Sequence, residues 1–277
     1  MKKIIPLLLL FIAVQITAQK KSDYAPVEIT KADGSKMTVL FKRITLPQLS
    51  SFKSFFGGEQ NTNVKIEYKI SEDGQKMTMN SKDIVGFKFL DKENDEIAAF
   101  ERLSIRVFDK NNVLKDLKQV MYMPLVYEGK INVYGEANFI CQASPGSNKI
   151  VKGTCEYAYS TFYLKNNQEN FAVTPLDIKL FNRERSLDNF ANAYKVAGKE
   201  CPAFTKYLDD LRARVNDKAF TKKMREDMIS YRKEVKKASH EIDGNREDRM
   251  EYIGRQLFLH EAQMYIDIVK EYEKNCP

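Results

Sequence analysis

Near residue 183 the spacing of apolar residues changes from every second position to every third or fourth. That change limits the chain to folds that join a sheet to helices. Before it, Val64, Ile66, Tyr68 and Ile70 alternate with Lys65, Glu67 and Lys69, the pattern of a strand with one wet face. Asp33-Gly34 and Asp73-Gly74 are strong hairpin turns between such runs, and Glu128-Gly129 is a weaker one. Further strands are expected near 27–31, 36–43, 76–80, 84–90, 97–107, 119–127, 131–141, 155–163 and 170–175. About ten short antiparallel strands suit a sandwich, a curled barrel-like sheet, or two small sheets in tandem. The pattern leaves these three open.

After the change, charged residues rise to 38 of 95 positions over 183–277, against 43 of 164 over 19–182, as helices with wet outer faces require. Ser186 can cap a first helix running to about Ala197, where Gly198 stops it. Pro202 suits the first turn of a second helix, whose stripe is Phe204, Leu208, Leu211 and Val215. A third carries Phe220, Met224, Met228, Tyr231, Val235 and Ala238, and Asp243-Gly244 then breaks the pattern. The last, from about Arg246 to Lys274, carries Met250, Ile253, Leu257, Met264 and Ile268 on one side, so the final two helices form an antiparallel hairpin. The fold class is therefore α+β. An antiparallel β-rich domain over 19–182, sandwich or barrel-like, precedes a helical hairpin or bundle over 183–277.

Residues 1–18 read as an address rather than as structure. Lys2 and Lys3 precede the apolar run Ile4 to Val14, and Thr17-Ala18 offers a cleavage site before Gln19, the pattern of a secretory signal peptide. Without it the chain carries 43 Lys and Arg against 38 Asp and Glu, a mild excess that argues weakly for nucleic acid, and export argues against it. No later run approaches the ~20 apolar residues of a spanning helix, so the exported chain is expected not to be transmembrane.

All four cysteines lie after the leader, and an even count in an exported protein points to two disulfides with three alternative pairings. Register favours one. If Cys141 faces Cys155 across two strands, partners sum to 296, which sets Phe139 against Tyr157, Ala137 against Tyr159 and Val133 against Tyr163, with one face apolar. Cys201 and Cys276 remain to tie the start of the helical region to its end. There is no C-x-x-C spacing for a metal site.

Familiar catalytic patterns are missing from the sequence. His260 opens HEAQM, which lacks the second histidine of the zinc-protease HExxH, and His240-Glu241 has no partner motif. There is no G-x-S-x-G elbow and no glycine-rich phosphate loop. Asp91, Glu93, Asp95 and Glu96 alternate as in a calcium loop, but Glu96 stands where that loop needs glycine, so the stretch reads as a solvated turn. Nothing points to a catalytic residue, a cofactor or a metal.

Two stretches remain as contact candidates. Phe52, Phe55 and Phe56, between Pro47 and Gly57-Gly58, either plug the core or offer an apolar patch to a partner. Residues 218–237 carry eight Lys and Arg against three acids. They form either a docking face for an anionic lipid or glycan, or a solvated face partly neutralised by the acid-rich last helix; the neutralised face is the favoured reading.

Gly129-Lys130-Ile131-Asn132-Val133-Tyr134, Tyr163-Leu164-Lys165, Cys201-Pro202 and the terminal Cys276 resemble a loose group of uncharacterised exported envelope proteins of Gram-negative bacteria. The resemblance implies a β-rich front, a helical tail, and a place in the periplasm or outer envelope. It implies no activity. The expectation is a non-enzymatic envelope protein that contacts another envelope protein, the alternative being a hydrolase or a binder of glycan or lipid.

Overall fold

A computed structural model describes residues 24–42, 65–91, 99–141, 155–175, 183–199 and 201–276. The leader, the Phe52–Phe56 stretch and Glu93, Asp95 and Glu96 lie outside these residues. The architecture is α+β, with ten strands followed by four helices among the described residues.

The strands are β1 (Tyr24–Lys31), β2 (Lys36–Lys42), β3 (Lys65–Lys69), β4 (Met77–Asn80), β5 (Ile84–Phe89), β6 (Ala99–Phe108), β7 (Leu114–Tyr127), β8 (Ile131–Ile140), β9 (Glu156–Asn166) and β10 (Phe171–Val173). They form one sheet in the order β10-β9-β8-β7-β6-β5-β1-β2-β3-β4. The three-residue β10 pairs antiparallel with β9 and parallel with β6, and so closes β6–β10 into a barrel-like ring. Of the three arrangements the alternation allowed, this is the curled one. β5, β1, β2, β3 and β4 extend it, with their own core of Val27, Ile29, Phe41, Ile66, Ile84 and Phe87.

The helices are α1 (Arg183–Gly198), α2 (Pro202–Asn216), α3 (Lys218–Ser239) and α4 (Arg246–Asn275). Ser186 is not the cap of the first, because α1 begins three residues earlier and takes Ser186 into its first turn. Pro202 occupies the first turn of α2. The Asp217 carboxylate accepts the Phe220 N–H at 2.7 Å and starts α3, and Asn245 with Asp248 forms a capping box for α4.

The largest core crosses the boundary near 182. Ile131, Val133, Phe162, Leu164 and Val173 of the barrel pack against Tyr194, Phe204, Phe258, Tyr265 and Val269 of the helices. At its centre the Phe162 ring lies 4.3 Å from that of Tyr265 and 5.5 Å from that of Phe258. Gly135 makes this possible, because a Cβ there would stand 2.6 Å from the Phe162 ring.

Candidate functional site

Two disulfides tie the chain: Cys141–Cys155 joins the end of β8 to the start of β9, and Cys201–Cys276 joins the start of α2 to the end of α4. Phe139 faces Tyr157 as the sum of 296 requires. Beyond that pair a β-bulge shifts the register by one. Asn138 then faces Tyr159, Ala137 faces Ser160 and Val133 faces Leu164, so the expected Ala137–Tyr159 and Val133–Tyr163 pairs are corrected. A one-residue slip exchanges faces, which turns Tyr163 away from the helices and toward the barrel interior.

That interior holds Leu103, Ile105, Met121, Met123, Tyr134, Tyr163 and Ala172. Polar side chains interrupt it. Lys165 Nζ sits 3.0 Å from Glu101 Oε1, Tyr134 donates its hydroxyl hydrogen to Glu101, and Asn132 Nδ2 donates to the Tyr134 hydroxyl at 3.2 Å. Glu136 shares this face, two residues beyond Tyr134, and is only 8% exposed. It has no hydrogen-bond partner among the described residues, and burial pushes its carboxyl up to about 7. Burial likewise raises the Tyr163 hydroxyl, with the Glu136 charge adding to the effect.

The helical layer holds an apolar groove of about 480 Å³. Leu187 and Phe190 of α1, Leu211 and Val215 of α2, Phe220 and Met224 of α3, and Met264 and Ile268 of α4 line it. In its C-terminal half α3 buries Val235 and Ser239. At the other end Phe220 and Met224 overhang the gap, and Met224 and Met264 are each at least 40% exposed.

Four polar residues edge the groove, and three of them already have partners. Arg212 pairs with Asp188 at 2.8 Å, and Gln263 Nε2 donates to Asp267 Oδ1 at 2.6 Å. His260, the remaining edge group, stacks on Tyr231 with ring centroids 4.0 Å apart. Among the lining residues no serine, threonine or cysteine sits beside this imidazole. His240 follows the last turn of α3 and edges a separate, smaller cavity. Asp91 lies on the surface two residues past the end of β5, and among the described residues no three His, Cys, Asp or Glu side chains gather as a metal site.

The cysteines are the candidate residues that the fold brings together; Phe52, Phe55 and Phe56 lie outside the described residues. Sequence periodicity identified the stripes of Leu211, Val215, Phe220, Met224 and Met264 as helix faces. It carried no sign that they exceed what the core covers. No helix of the described residues is long and apolar enough to cross a membrane. Comparison with known proteins returns no match, whether to a family model, a curated protein or a solved structure.

Proposed function

We infer that this is an exported, non-enzymatic envelope protein whose helical layer holds the acyl chain of a lipid. The leader-like first eighteen residues and the two disulfides support export, because such bonds persist in oxidising compartments. The groove carries the reading. Its volume falls in the ~300–1,000 Å³ range of small-ligand sites. Eleven of its fifteen lining residues are apolar or aromatic. A chain of methylenes gains from every such contact, at about 0.8 kcal/mol for each one taken from water. Arg212 at the edge is 44% exposed while paired, so it can also meet an anionic head group.

A titration with dansyl-labelled undecanoic acid tests this. Wild-type protein is expected to give a saturable rise in fluorescence that palmitate reverses. Leu211→Glu, which places a charge among Val215, Met224 and Met264, is expected to abolish it. Fluorescence that does not saturate, or that survives Leu211→Glu in the folded protein, overturns the reading.

The exposed methionines Met224 and Met264 favour one other occupant, an apolar segment of a second envelope protein, because methionine adapts to varied partners. A photo-crosslinker at position 264 that captured one protein stoichiometrically, with no lipid bound, would establish that occupant instead.

A further inference from the structure

We propose that the outer face of α3 docks on an anionic phospholipid leaflet, a contact separate from the groove and independent of its ligand. At 100° per residue, Lys218, Lys222, Arg225, Ile229, Arg232, Lys233 and Lys236 fall within an arc of about 100°. All seven are exposed, and the stripe runs about 27 Å along the helix. α3 carries eight Lys and Arg against three acids, whereas the rest of residues 19–277 carries thirty-five of each. The whole net positive charge of that stretch therefore lies on one outer helix.

The last helix neutralises little of it. Arg232 reaches Glu261 at 3.9 Å and Lys222 reaches Glu226 of its own helix at 3.9 Å. Lys218, Arg225, Lys233 and Lys236 make no ion pair among the described residues, so the expected neutralisation by the last helix is partial and rests on Arg232 with Glu261. Cations left unpaired along one face lower their energy near a surface of phosphates, and neighbouring residues add to each other there. Ile229 selects a bilayer over a soluble polyanion. It stands 47% exposed at the middle of the cationic stripe, where an apolar side chain can enter the boundary between head groups and acyl chains.

The test is co-sedimentation of the full exported chain with vesicles of phosphatidylcholine mixed with phosphatidylglycerol, beside phosphatidylcholine alone. The expected result is binding to the anionic vesicles only, falling as salt shortens the screening length. Lys233→Gln with Lys236→Gln is expected to weaken it about 25-fold, at about fivefold per charge. Ile229→Asn is expected to weaken it about tenfold. All three positions are exposed, so an unchanged melting transition shows the variants to be folded. Equal binding to both vesicle types, or no binding at low salt, overturns the proposal. So does loss of binding in the lysine variant with none in Ile229→Asn, which would make the face a reader of charge alone.

Discussion

Replacing Glu136 with glutamine should remove a fall in stability that the wild type shows as pH rises. The carboxyl is 8% exposed, faces Thr161 across β8 and β9, and has Tyr159 and Tyr163 as its titratable neighbours. Burial raises it from 4.5 to about 7. The folded protein therefore holds this proton more tightly than the unfolded chain, and stability falls as pH rises through that window. Below about 4.5 both states are protonated and ionisation costs nothing. Above about 7 both are ionised, and the folded state carries the full cost of a buried carboxylate. At 1.36 kcal/mol per unit the loss from pH 4.5 to about pH 8 is about 3 kcal/mol. Glutamine keeps the shape and removes the charge. Urea unfolding at several pH values should show the wild type losing about 3 kcal/mol relative to Glu136→Gln across this range. Parallel profiles for the two proteins would refute the reasoning, and would mean that water or a cation reaches the carboxylate in the folded barrel.

Other expectations follow from packing and covalent ties. Gly135→Ala should cost about 1–3 kcal/mol in urea unfolding, because the Phe162 ring it would strike is held between Phe258 and Tyr265. The Cys141→Ser/Cys155→Ser pair should lose about 3 kcal/mol and the Cys201→Ser/Cys276→Ser pair more than 4, since the loops they close span 14 and 75 residues. Glu273→Gln should loosen the end of α4, whose carboxylate accepts from the Lys130 N–H at 2.8 Å and the Tyr127 hydroxyl at 2.9 Å. Faster amide exchange over 270–276 would report that loosening, and unchanged exchange would count against it.

Local chemistry made much of the fold readable before any coordinates. Alternation located the strands, the apolar stripes located four helices, and Pro202 and the Asp243-Gly244 break marked where helices start and stop. What the sequence hid was long-range. Closure of the barrel depends on Phe171–Val173 pairing with β6, and a three-residue strand has no periodicity of its own. In β8 the alternation of Ile131, Val133 and Gly135 with Asn132, Tyr134 and Glu136 reads as one dry and one wet face. Both faces are buried, because the polar one points into the ring. The slip after Phe139 was equally silent, since a bulge inserts a residue without altering composition. The groove is lined from all four helices at once, a meeting that no single stripe encodes.

What the protein carries from its own cell tests whether the helical groove holds an acyl chain. Protein purified from its native cells without added lipid would be extracted and analysed by mass spectrometry, beside Leu211→Glu prepared identically. About one acyl-bearing molecule per wild-type chain is expected, and none with Leu211→Glu. Equal amounts in both, or none in either, would contradict it.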